Sequence, residues 1–259
     1  MDILEAFDLL KRERAVISLV GGGGKTSIMY RLAGELKQLH RKVLVTTTTA
    51  IYYPGQSLCD DVFLWEDADE PPGGLHNPVQ GSVTAVGNRI TEENKLKGIP
   101  VDWVDKLYKC GSFDVILVEA DGSKGRPIKA PDTHEPVIPS CTSILTGVVG
   151  FDCYAERIEP LWVHRPHIFT GVVGKIAGDA IDDEVIVKLA LSQNGLFKNC
   201  PEEAEKVLFI NKVEEDEQIA AAERIGSSVL KQGSDIRKVL IGSILGKNPV
   251  RTVMERAVG

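Results

Sequence analysis

Apolar positions along the 259-residue chain fall into two kinds of run that alternate: short, nearly continuous blocks, and longer stretches at helical spacing. The blocks 15–20, 42–48, 82–86, 113–119, 143–149, 206–210 and 237–241 are rich in Val, Ile, Leu and Thr and read as buried strands. Ile3, Phe7 and Leu10 share one helical face, so a short helix is expected before the first strand. Helical patterns follow at 28–39 and, after Pro100, at 99–110, where Val101, Val104, Leu107 and Tyr108 take core spacing. Two more helices are expected at 183–192 and 216–232. Strands separated by helices predict an α/β fold with a mostly parallel sheet sandwiched by helices. The whole chain, 1–259, is expected to form a single such domain. Residues 53–98 are less regular and contain Pro71-Pro72-Gly73-Gly74, so they read as an insert or small lobe after the second strand.

The first strand runs into Val20-Gly21-Gly22-Gly23-Gly24-Lys25-Thr26-Ser27, and a helix follows. A glycine loop between strand and helix is the setting in which backbone N–H groups and a helix N-terminus bind phosphate. Gly21, Gly22, Gly23, Gly24, Lys25, Thr26 and Ser27 are therefore candidate nucleotide contacts, which makes the fold P-loop NTPase-like. Lys25 is expected to lie exposed in a preformed site and reach the terminal phosphates, and Thr26 to ligate Mg²⁺. The loop is shorter than G-x-x-x-x-G-K-[ST], because Leu19 stands where the first glycine would be. It is closer to the G-x-x-G-K-T form of Mur-type ligases.

The fourth apolar block ends in Glu119-Ala120-Asp121-Gly122-Ser123-Lys124. Ligands of open parallel sheets sit at the carboxyl ends of strands, so Glu119 and Asp121 are candidates for holding Mg²⁺ and orienting a nucleophile. The spacing leaves open which acid binds metal. Beyond them lie Lys124, Lys129, His134 and Glu135 in a proline-stiffened loop, a candidate grip for a small anionic substrate. Thr48 and Thr49, at the end of the second strand, could donate hydroxyls to the same ligand. Arg165, between His164 and Pro166, is a candidate anion contact, since a metal reading of its neighbouring histidines lacks further ligands. Asn211-Lys212-Val213-Glu214, after a late strand, is placed for base recognition, with Glu214 where a guanine-reading motif has aspartate. The nucleotide is thus ATP or GTP.

Charge and cysteine usage narrow the classes further. A net charge of −7 argues against non-specific nucleic-acid binding. No apolar run approaches the roughly 20 residues that span a bilayer, and the N-terminus is acidic. The five cysteines are scattered without C-x-x-C, which suggests reduced thiols and a cytoplasmic location.

Several segments together resemble a known family. Val20 to Ser27, Val45 to Thr49, Val118 to Lys124, Pro127-Ile-Lys-Ala-Pro131 and His134-Glu-Pro-Val-Ile-Pro139 are similar to the YqeC family, and the likeness extends over nearly the whole chain. The resemblance implies an accessory factor in maturation of a selenium-dependent molybdenum hydroxylase or its cofactor, with a maturation protein as a possible partner. Three activities are compatible with these features: a Mg²⁺-dependent NTPase, a nucleotide-dependent transferase or ligase acting on a small anionic substrate, and a nucleotide-sensing scaffold with little turnover.

Overall fold

The computed structural model describes residues 1–66, 70–232 and 235–256; residues 67–69 of the expected insert lie outside the described residues. In chain order the strands are Ala15–Gly21 (β1), Val43–Thr47 (β2), Ala50–Tyr52 (β3), Asp61–Leu64 (β4), Val83–Gly87 (β5), Lys95–Lys97 (β6), Val115–Glu119 (β7), Ile128–Lys129 (β8), Ile144–Gly150 (β9), Val163–His164 (β10), Glu205–Asn211 (β11), Ile236–Ile241 (β12) and Thr252–Glu255 (β13). The helices are Ile3–Ala6 (α1), Lys25–Gln38 (α2), Val101–Cys110 (α3), Pro166–Val173 (α4), Asp183–Leu191 (α5) and Asp216–Lys231 (α6).

Nine strands form one sheet in the order β13-β12-β11-β9-β1-β7-β2-β5-β4. Every neighbouring pair is parallel except β12 with β13, at the edge. The expected α/β sheet is therefore the one observed. Alternation along the strands assigns its two faces. Ile17, Leu19, Val43, Val45, Val115 and Leu117 point to the side covered by α1 and α2. Val16, Val20, Leu44, Ile116 and Val118 point to the other, where α3 to α6 pack. Both faces being covered explains why the strands read as continuous apolar runs.

Three local outcomes differ from the pattern. The first helix stops early: Asp8 takes a left-handed conformation (φ 55°), and a short 3₁₀ turn over Leu9–Lys11 leaves Leu10 exposed. The helix after the glycines starts at Lys25, not Ile28, because polar Thr26 and Ser27 carry no apolar period yet have helical geometry. Residues 53–98 add β4 to the main sheet beside β5, the strand expected at 82–86, while β3 and β6 form a separate antiparallel pair.

The strand order decides what meets at the carboxyl edge. β7 lies between β1 and β2, so Leu19 and Thr47 both pair in register with Glu119. On the other side of β1, β9 pairs with it and β11 pairs with β9, bringing Asn211 beside Gly150. Among the described residues no helix is long and apolar enough to cross a membrane.

Candidate functional site

The glycine loop is built by close backbone approach. Gly21, Gly23 and Gly24 have φ of +93°, +75° and +115°, where a side chain is strained. A Cβ on Gly22 would sit 2.5 Å from the Arg126 carbonyl oxygen, and one on Gly23 would sit 2.1 Å from the Gly150 nitrogen. The loop is thus packed under residues 126–127 on one side and 150 on the other. Its first N–H groups are engaged within the protein. Gly22 donates to Val148 O (2.9 Å) and Gly23 to Arg126 O (3.1 Å). Gly21 donates to both carboxylate oxygens of Asp121, at 3.0 and 3.1 Å. The open donors are those of Gly24 to Ser27, since the first α2 bond runs from Ile28 N–H to Gly24 O. A helix start of this kind attracts anions.

Lys25 differs from the expected exposed side chain. It is only 3% exposed. Its Nζ donates to Gly21 O at 2.6 Å and lies 3.2 Å from Asp121 Oδ1 and 3.8 Å from Glu119 Oε1. Burial alone would draw the ammonium pKa down, but Asp121 and Glu119 outweigh it and hold the pKa above the usual lysine value. The two acids, arriving on the neighbouring strand, are what draw this lysine inward.

Glu119 and Asp121 have separate environments. The Thr26 hydroxyl donates to Glu119 Oε2 at 2.6 Å. Burial raises the Glu119 pKa, against the opposing pull of Lys25 and the Thr26 hydrogen bond. Asp121 is saturated instead: beyond Gly21 and Lys25, its Oδ2 lies 3.2 Å from Lys129 Nζ. Lys129 is fully enclosed and also donates to Gly122 O (2.9 Å) and Glu135 Oε2 (2.5 Å). Although burial opposes it, the Lys129 hydrogen bond keeps the Glu135 pKa below the ordinary range. Arg165 closes the outer end of this chain of charges, 3.2 Å from Glu135 and 3.0 Å from Asp132.

The residues expected to grip a substrate therefore divide. Lys129, Glu135 and Arg165 spend their charges on one another, whereas Lys124 and His134 are exposed. The Thr48 hydroxyl donates to Val137 O, and the Thr49 hydroxyl lies 3.2 Å from that of Thr47. His164 is buried on β10, paired in register with Lys129. Desolvation, with Arg165 and Lys129 nearby, pushes its pKa down to about 4, so it is neutral at physiological pH.

On the other side of the loop, Asn211 ties three segments together. Its Nδ2 donates to Gly23 O (2.7 Å), and its Oδ1 accepts from Ile244 N–H (2.9 Å). Lys212, left-handed at φ 64°, pairs with Asp152 at 2.6 Å. Beside them opens a cleft of about 360 Å³ lined by Gly24, Ser27, Lys212, Glu214, Gln218 and Leu245. It adjoins the open helix start and has the size of a small-molecule site. A larger cleft of about 550 Å³ lies beside α2, lined by Leu4, Tyr30 and Arg31, and carries none of the strand-end residues.

Asp152, Gln218 and the 243–245 turn border the smaller cleft, beside Gly24, without having been singled out in the sequence. The turn had a usable signal, since Ile241-Gly242-Ser243 ends an apolar strand at the same sheet edge. Asp152 had none.

The YqeC protein family model matches residues 17–167, which contain the glycine loop, both acids and the loop through Arg165. The YqeC protein of Escherichia coli (strain K12) is 32% identical over 234 residues, covering 90% of this chain and 89% of that protein. Among solved structures, FtsY from Mycoplasma mycoides aligns over 92% of this chain at 12% identity and a TM-score of 0.33, and the alignment spans 63% of the FtsY chain.

Proposed function

This chain belongs to the YqeC family, and we propose that it binds a Mg²⁺–nucleoside triphosphate, ATP or GTP, and hydrolyses it. One observation carries the reading: the Thr26 hydroxyl rests on the Glu119 carboxylate at 2.6 Å, beside a buried, charged Lys25, at the open start of α2. A hydroxyl and a carboxylate in contact, both hard oxygen donors, suit a cation that keeps most of its water. Thr26 and Glu119 would hold Mg²⁺, which when bound neutralises phosphate charge.

The protein's own groups take distinct parts. The N–H groups of Gly24 to Ser27 receive the phosphates, and Lys25 turns to them from its resting contacts. Asp121 fixes the loop through Gly21 and holds Lys25 at rest. The nucleoside occupies the cleft between Lys212 and Leu245. The finer role, an accessory factor in maturing a selenium-dependent molybdenum hydroxylase or its cofactor, rests on the family resemblance. Coupled transfer to a small anionic acceptor is favoured by one feature only: Lys124 and His134 remain exposed.

Calorimetric titration with ATP and GTP, with and without Mg²⁺, tests the reading alongside an assay of phosphate release. Wild type should bind one of them in a Mg²⁺-dependent way, and Thr26→Val or Glu119→Gln should lose the Mg²⁺-dependent part. Absence of binding to either nucleotide would sink the proposal. Repeating the assay with selenide or a pterin cofactor separates simple hydrolysis from group transfer.

A further inference from the structure

Asp121 serves two buried cations at once. Its Oδ1 faces Lys25 and its Oδ2 faces Lys129, each at 3.2 Å, and Gly21 N–H bridges both oxygens. The Lys25 ammonium has three donors and already holds Gly21 O and Asp121, with Glu119 at 3.8 Å, so a phosphate oxygen at the start of α2 competes with these partners for it. Binding at that helix start therefore draws on the ammonium that Asp121 holds. Resting on the nucleotide reading above, we propose that Asp121 is a latch on Lys25, and that Lys129 is a positioning residue which sets the strength of that latch.

The physical basis is competition for one carboxylate. When Lys25 departs, Asp121 keeps the Lys129 ammonium and the Gly21 N–H, so its own charge is not left uncompensated. Repulsion between the two ammonium groups also favours release. Without Lys129, departure of Lys25 would strand a carboxylate that is 1% exposed, and the latch would tighten. Lys129 is itself held by Gly122 O and Glu135, so the share of its charge given to Asp121 depends on Glu135. A latched population lowers apparent nucleotide affinity by the fraction of molecules in which Lys25 is free. The exchange moves an ammonium group between acceptors and transfers no proton or electron.

The test uses two readouts on the full chain: the acetylation rate of Lys25 by acetic anhydride, followed by peptide mass spectrometry, and the calorimetric affinity for Mg²⁺–ATP and Mg²⁺–GTP. Asp121→Asn should speed Lys25 labelling and tighten binding. Lys129→Met should slow labelling and weaken binding, each by about tenfold or more, as expected for a charge removed at this depth. In the Asp121→Asn background, Lys129→Met should change neither quantity, because no latch remains to adjust. Additive effects in the double variant would mean that each charge acts only through its field on the site, and would overturn the proposal. Glu135→Gln covers the case in which Lys129→Met fails to fold. It shifts Lys129 toward Asp121 and should speed Lys25 labelling, so slower or unchanged labelling there also overturns it. The expected labelling pattern in a protein that binds neither nucleotide would instead remove the nucleotide reading and leave the latch standing.

Discussion

Replacing Lys25 by methionine keeps the length of the side chain and deletes one buried charge, so it tests folding and function together. The position contributes a 2.6 Å hydrogen bond to Gly21 O and ion pairs to Asp121 and Glu119. Removing one partner of a buried pair costs about 3–5 kcal/mol when the other is left uncompensated. Here Asp121 retains Lys129 and Gly21, and Glu119 retains Thr26 and can take up a proton. The cost at neutral pH is therefore expected near the bottom of that range or below it, about 2–3 kcal/mol. For a chain of about this size that lowers Tm by about 4–12 °C.

The pH dependence carries the sign. Burial raises the Glu119 pKa, and Lys25 is the main influence pulling it back. In Lys25→Met the pKa rises further above 4.5, the ordinary glutamate value, so the folded state binds this proton more tightly than the unfolded chain does. The folded variant then gains stability as pH falls through the Glu119 pKa. Its deficit against wild type should be largest near neutrality and shrink toward pH 5. Urea denaturation followed by tryptophan fluorescence at pH 7.5 and pH 5, with nucleotide affinity measured on the folded variant, provides the check. A variant as stable as wild type at pH 7.5, or a deficit identical at both pH values, would refute the account of Lys25 as a buried partner of the two acids.

Three further outcomes are expected. Gly23→Ala places a Cβ against the Gly150 backbone at φ +75° and should cost about 2–4 kcal/mol, read by thermal denaturation; an unchanged Tm would contradict the packing of the loop. Asn211→Ala unpairs the Ile244 N–H and the Gly23 carbonyl and should cost about 1–3 kcal/mol while weakening nucleotide binding, as denaturation and calorimetry would show. His164 has its pKa depressed from 6.5 to about 4, so its contribution to stability is present above pH 6.5 and lost as pH falls toward 4. Over that window wild type should lose more stability than His164→Asn, and parallel pH profiles would exclude this role for the histidine.

Many of the strands and helices were legible because local period encodes them: β1, β7, β9, β11 and β12 are continuous apolar blocks, and α3, α5 and α6 have helical spacing, whereas the eight-residue α4 was not among the expected helices. The glycine loop and the acids at the end of β7 could also be named, since glycine before a helix and an acid ending an apolar run are local signals. The edge strand β13, with Thr252, Val253 and Met254 only half-buried, had too weak a pattern to announce itself. Within residues 53–98 the apolar block 82–86 announced β5, but no period revealed β4, because its place in the main sheet depends on which distant strand it pairs with.

What tertiary structure decided was partnership. Strand order placed β7 against β1, and only that adjacency brings Glu119 and Asp121 onto Lys25 and turns an expected surface lysine into a buried one. The same packing gave Asp121 to Lys25 and Lys129 together, and assigned Glu119 to Thr26. No sequence period records such choices. A charged side chain is buried or exposed according to whether opposite charges from remote segments compensate its desolvation, and those segments meet only in the folded sheet.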